Sequence, residues 1–225
     1  RMVFNVAGTS TAGAVSIRNA YIGLTGDFGS IKVGTEEHFF EVDLITDPLG
    51  ADYNRTSDPI LALNLGNTGF SFTRRDQESV WWTSKPMNGF MARAAYIMGP
   101  NNASVSSGAD QDGMQIGLSY MTGPMRIDVS QATYNDYANN GGQAATDTAI
   151  AGSEATATSL KVAYDFGTFK VIGAVWNMEQ TGISFTDSSG DTATAVEASG
   201  QSLNFEMPVA GGMVWAAMSS IGDQD

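Results

Sequence analysis

The sequence predicts an all-β fold, an antiparallel up-and-down barrel that crosses a membrane with its strands. Three observations predict it. Apolar and polar residues alternate with period two in segment after segment, and no segment carries a convincing helical period. Short turns fall at 25–29, 85–89, 121–125, 165–168 and 207–212, and long polar loops fall between them at 8–15, 35–76, 99–112, 135–157 and 180–198. Short and long connections therefore alternate without a break, as they do when one rim of a barrel carries turns and the other carries loops. A soluble sandwich has no reason to sort its loops by parity.

The elements justify this one by one. In 1–8, Met2, Phe4 and Val6 share a face, so a short strand is expected. Strands follow at 17–24 and 30–34, joined at the tight polar turn Gly26-Asp27-Phe28-Gly29. After the long segment 35–76, strands fall at 78–84 and 90–98, with Arg93 opposite Phe90, Ala92, Ala94, Tyr96 and Met98. Segment 114–120 alternates most cleanly, Met114, Ile116, Leu118 and Tyr120 against Gln115, Gly117 and Ser119. Met125, Ile127 and Val129 then oppose Arg126, Asp128 and Ser130, and Leu160, Val162, Tyr164 and Phe166 oppose Lys161, Ala163 and Asp165. Segment 169–178 is apolar on both sides, so its facing is open; 202–207 and 213–218 complete a set of roughly eleven strands. The chain opens in one strand and stops soon after another, which predicts a single β-barrel domain over 1–225, cut at both ends.

Composition narrows the function. Mean hydropathy is −0.11, too polar for a helical membrane protein, and no apolar run of about 18 residues exists to make a transmembrane helix. A barrel leaves no such run, because alternation dilutes its apolar residues. The absence of cysteine removes disulfides, thiol catalysis and cysteine-based zinc sites. A net charge of −13 argues against nucleic acid as a partner. It reads either as a solvated acidic surface or as a polar lumen that favours cations. No nucleophile elbow, phosphate-binding loop or H-E-x-x-H motif occurs, so no enzyme, cofactor or catalytic residue is expected. His38 stands alone in a loop and the acidic loops at 135–136 and 187–191 lack EF-hand spacing, so no metal site is expected either.

Alternation has a physical reading in lipid. Every backbone N–H and C=O must be paired there, the outer face must be apolar, and the inner face can be wet. Aromatics near strand ends (Tyr21, Trp82, Tyr96, Tyr120, Tyr164 and Phe166) fit an interfacial girdle or ordinary packing. The segment 35–76, with Glu36, Glu37, Glu41, Asp43, Asp47, Asp52 and Asp58, is too long for a mere connection, and loops of that length usually carry function.

The stretch Arg18-Asn-Ala-Tyr-Ile-Gly-Leu-Thr-Gly-Asp-Phe-Gly-Ser-Ile-Lys-Val-Gly34 resembles a hairpin of Gram-negative general diffusion porins, Arg-x-Ala-Tyr/Phe-Val-Gly-Leu-x-Gly-x-Phe-Gly. Arg75-Asp-Gln-Glu-Ser-Val-Trp-Trp-Thr-Ser-Lys-Pro86 with Gly89-Phe90 is similar to the family's next strand pair. Ser119-Tyr-Met-Thr-Gly-Pro-Met125 and Ala163-Tyr-Asp-Phe-Gly-Thr-Phe169 look like later hairpins, in the family's order. The resemblance implies a homotrimeric outer-membrane porin of about sixteen strands, set among outer-membrane lipid and lipopolysaccharide. It implies passive diffusion of small hydrophilic solutes and ions, with 35–76 folded into the lumen as a constriction loop. Acidic loop residues Glu41, Asp43, Asp47 and Asp52 would then face basic wall residues Arg18, Arg93, Arg75 and Arg126. The family usually has Arg directly after the hairpin's second strand, whereas here Gly34 is followed by Thr35-Glu36-Glu37, which favours cations. Phe39-Phe40 and Pro48-Leu49-Gly50 would anchor the loop to the wall or simply pack locally. The competing function is a non-channel β-rich cell-surface structural or adhesive protein.

Overall fold

A computed structural model describes residues 4–5, 16–17, 20–37, 39, 75–98, 112–136, 152–186 and 192–222. Every described element is a strand. β1 (Phe4–Asn5) and β2 (Ser16–Ile17) pair with each other alone. The others are β3 (Ala20–Gly26), β4 (Gly29–Glu37), β5 (Arg75–Thr83), β6 (Phe90–Ile97), β7 (Gly113–Thr122), β8 (Met125–Asn135), β9 (Glu154–Asp165), β10 (Lys170–Thr186), β11 (Thr192–Val209) and β12 (Gly212–Ile221). These form one ten-stranded antiparallel sheet in which each strand pairs with its sequence neighbours. The sheet is open, with β3 and β12 as its edges.

Turn chemistry sets the meander. Asp27-Phe28 closes β3 onto β4, and Gly29 follows with φ 99°. A Cβ there would lie 2.0 Å from the Thr83 carbonyl oxygen, so only glycine lets β4 start so close to β5. Asn88 and Gly89, both at positive φ, turn β5 into β6, with Met87 and Phe90 bonded across the turn. The turns β3–β4 and β5–β6 are tied by Lys85 Nζ on Asp27 Oδ1 (2.6 Å) and by Trp82 Nε1 donating to the Phe28 carbonyl (3.0 Å).

Two differences from the sequence reading are informative. The expected loop at 180–198 is mostly strand: β10 runs to Thr186 and β11 starts at Thr192, so these strands are 17 and 18 residues long. The stretches Gln180–Thr186 and Thr192–Ser199 look loop-like because they are polar. Their threonines nonetheless favour extended backbone, and the ladder continues with one irregularity between Thr181 and Phe185. The expected strand at 17–24 is divided, its first residue belonging to β2 and its body to β3.

The sheet has one bare face and one covered face, and their chemistry is the reverse of a soluble protein's. The bare face presents Ile22, Leu24, Ile31, Val33, Met114, Ile116, Leu118, Val129, Leu160, Val162, Val175, Leu203 and Met218. A continuous apolar surface of this extent marks contact with membrane or partner. The covered face holds Ser79, Arg93, Gln115, Ser119, Asp128, Ser130, Ser159, Lys161, Ser202 and Asn204, together with Trp81, Ile97, Tyr134, Trp176 and Met178. β10, whose facing the sequence leaves open, turns Ile172, Ala174, Trp176 and Met178 to the covered face.

At the short-turn ends of the strands, aromatic rings gather. Phe90 and Tyr120 lie 4.5 Å apart, and Tyr164, Phe166, Phe169 and Phe205 form a chain with centroid spacings of 4.6, 4.5 and 5.2 Å. Such bands mark the level where hydrocarbon meets headgroups. Tyr21, expected among them, lies instead beneath Lys32, whose Nζ is 4.3 Å from the ring centroid. Residue 21 faces Gly34 in the ladder and shares the face of Lys32, opposite Ile22 and Leu24.

Candidate functional site

The covered face is where charge collects, and strand register fixes how. Reading across the ladder, Thr83, Arg93, Gly117, Ser130, Ser159 and Trp176 share one row. One step toward the short turns lie Ser119, Asp128, Lys161, Ala174 and Ser202. One step further lies Arg126 beside Ala163. Arg93 and Arg126, both expected on the wall, therefore share a face two rows apart.

Arg93 is held flat across β7. A Cβ on Gly117 would meet its Nη2 at 3.1 Å and Nε at 3.3 Å, so the missing side chain at 117 is what lets the guanidinium lie there. On its other side Cζ stands 4.9 Å from the Phe39 ring centroid, a cation–π contact. Phe39 meets Trp81 edge-on at 4.8 Å and 84°. Its N–H donates to Gln115 Oε1 (2.8 Å), and Gln115 Nε2 donates to the Tyr134 hydroxyl (2.7 Å). Trp81 Nε1 donates to Ser79 Oγ (2.5 Å), which in turn donates to the Gly34 carbonyl (2.6 Å). The segment that leaves β4 is thus pinned, at Phe39, to side chains of β5, β6 and β7 on the covered face.

A second cluster surrounds Asp128, whose side chain is fully buried. Arg126 grips it with Nε 2.8 Å from Oδ2 and Nη2 2.9 Å from Oδ1. Ser119 Oγ donates to Oδ1 at 2.6 Å, and Lys161 Nζ stands 3.7 Å from Oδ2. Two cations, Arg126 and Lys161, thus stand around one buried carboxylate. Lys32 pairs with Glu36, and Lys170 with Glu206 at 3.4 Å.

Of the other expected residues, Glu41, Asp43, Asp47, Asp52 and Arg18 lie outside the described residues, as do Phe40 and Pro48-Leu49-Gly50. Arg75 is placed by its backbone alone, opposite Glu37 in the β4–β5 ladder. Sequence reasoning put Asp128 and Lys161 on the polar face but did not count them as site residues. Asp128's i, i+2 relation to Arg126 and the alternation of Lys161 with Leu160 and Val162 are the signals that could have singled them out. Among the described residues no group of His, Cys, Asp or Glu could hold a metal. The arrangement offers fixed charge, hydrogen-bonding groups and an anchored segment, which suits selecting solutes more than transforming them.

A sequence profile of Gram-negative porins matches residues 1–222. No curated protein sequence matches. Among solved structures, the chain is similar to an anion-selective porin from Comamonas acidovorans, at 16% identity and TM-score 0.65, over 94% of this chain and 59% of that one. It is also similar to in-vitro folded OmpT, an outer membrane protein of Vibrio cholerae, at 15% identity and TM-score 0.63, over 93% of this chain and 62% of that one. A trimer form of the same Vibrio protein matches at 15% identity and TM-score 0.58, over 95% of this chain and 63% of that one. The chain thus spans about three-fifths of the length of these relatives.

Proposed function

The chain belongs to the Gram-negative porin family, whose place is the bacterial outer membrane, and we propose that it forms the wall and constriction of a passive, non-enzymatic diffusion channel for small hydrophilic solutes and ions. One observation carries the reading: a polar, charged face backs onto an apolar bare face, and the segment after β4 is pinned at Phe39 to the charged one. Transport of this kind needs no chemistry, only a narrow wet place and fixed charge.

In this reading 1–225 is one barrel domain, and the constriction loop is the part of 35–76 that lies between the end of β4 at Glu37 and the start of β5 at Arg75. Glu41, Asp43, Asp47 and Asp52 face a wall formed by Arg93 and Arg126, with Arg18 and Arg75 nearby. Opposed acids and bases polarise the opening, and low-dielectric walls focus their field. The net charge of −13 favours cations. A homotrimer in contact with outer-membrane lipid and lipopolysaccharide is the proposed assembly, in keeping with the trimer form of the Vibrio protein.

A second reading, anion preference, is favoured by the gathering of Arg93, Arg126 and Lys161 on one face, and by the Comamonas relative being anion-selective. Single-channel recording of the full-length protein in a planar bilayer under a KCl gradient decides between them. Stepwise conductance with a cation-selective reversal potential, reduced by Asp43→Asn with Asp47→Asn, supports the first reading, and an anion-selective potential supports the second. Silence from folded, inserted protein would sink the channel and leave a surface structural or adhesive role.

A further inference from the structure

The bare face is not evenly filled. Gly173 of β10 sits in a row with Val162, Leu203 and Met218, and the nearest atom to a Cβ built on it is the Ser202 carbonyl oxygen at 4.0 Å. The gap deepens into a groove of about 490 Å³, walled by Leu160, Val162, Val175, Leu203 and Met218. That volume lies within the range of about 300–1,000 Å³ usual for small-ligand sites. Among the described residues no ionisable side chain lines it. At its inner end Gln201 Nε2 donates to Ser220 Oγ (3.2 Å), so these two polar groups partner each other instead of a ligand.

The groove's depth in the membrane follows from register. One ladder step toward the short turns stands the row Tyr164, Val171, Phe205 and Ala216, two of whose members belong to the aromatic chain described above. Two residues along a strand span about 7 Å. Strands of such barrels tilt by about 35–45°, so the groove opens about 5 Å inside the headgroup level on the short-turn side, which is the periplasmic side.

We propose that the Gly173 groove is a seat for one acyl chain of a glycerophospholipid in the periplasmic leaflet. The groove is continuous with the lipid-facing apolar band, carries no charge, and lies where an acyl chain descends from a headgroup held at the aromatic level. A hydrocarbon chain gains there the dispersion contacts that a glycine on a flat wall cannot give. The inference depends on the outer-membrane setting and not on conduction, so it stands or falls independently of the channel.

The test uses the full-length protein refolded into phosphatidylethanolamine vesicles doped with a phospholipid bearing a mid-chain diazirine. After illumination, adducts are mapped by peptide mass spectrometry. The proposal expects adducts at Leu203 and Met218 in several-fold excess over Ile116 and Leu118, equally apolar positions on β7. It expects that excess to vanish in Gly173→Leu, which fills the groove, and to fall partly in Gly173→Ala. Labelling that is even around the wild-type band overturns the proposal. So does an excess that survives Gly173→Leu, and so does disulfide capture between copies carrying Met218→Cys, which would show a second copy covering the face.

Discussion

Phe39 stands on Trp81, Arg93 and Gln115, and its truncation separates two roles. Replacing a core phenylalanine by alanine typically costs about 3–5 kcal/mol. If Phe39 anchors only the segment that leaves β4, that loss is local and the sheet's ladders survive it. Phe39→Ala is therefore expected to raise single-channel conductance while leaving the denaturant midpoint nearly unchanged. A large fall in midpoint with unchanged conductance would make Phe39 ordinary core. Asp128 behaves in the opposite way. Asp128→Asn keeps the shape and an acceptor for Ser119 but leaves Arg126 and Lys161 around a neutral group. Half-exposed Arg126 recovers part of its solvation, so a loss of about 1–3 kcal/mol is expected in urea unfolding from vesicles. The same variant should move the reversal potential toward anions. An unchanged midpoint would mean that this carboxylate does not hold the cluster together.

At the scale of strands, what the sequence made legible depended on contrast between faces. β6, β7, β8 and β9 could be faced correctly because each sets polar residues such as Gln115, Asp128 and Lys161 against aliphatic ones. β10 could not, because its covered side carries Ile172, Trp176 and Met178, as apolar as the side that meets lipid. The polar outer halves of β10 and β11 passed for loop because hydropathy reports environment, whereas backbone pairing reports structure. The candidate site was legible only as far as alternation reaches. It placed Arg93 and Arg126 on one face, but not the crossing of Arg93 over Gly117, which needs the ladder register. Face assignment itself is testable with one pair of variants. Leu118→Arg puts a cation on the bare face at the middle of its band and should cost about 2–4 kcal/mol in unfolding from lipid vesicles. Met91→Arg puts the same cation on the covered face, opposite Ser119 in the β6–β7 ladder, and should cost less. Equal penalties would mean that the two faces do not meet different solvents.

For the whole molecule, the tension lies between a chain of net charge −13 and a described wall that sets Arg93, Arg126 and Lys161 on one face. Distance and salt decide which controls permeation. At 0.1 M salt the screening length is about 10 Å, so an ion in the lumen feels acids spread over loops and rims; at 1 M it is about 3 Å, and only the charges it nearly touches remain. In the proposed arrangement Glu41, Asp43, Asp47 and Asp52 and the bases Arg93 and Arg126 would act at the constriction, and most of the remaining net charge from further away. Cation preference measured in a KCl gradient should therefore be clear near 0.1 M and shrink steeply toward 1 M. If the close-range wall cations dominate, the preference should reverse sign there instead. Repeating the series with Arg93→Gln distinguishes the two. A reversal at high salt that disappears in this variant assigns close-range control to the guanidinium over Phe39. A preference independent of salt in both proteins would place the controlling charges in direct contact with the ion, and the long-range account of the −13 charge would fail.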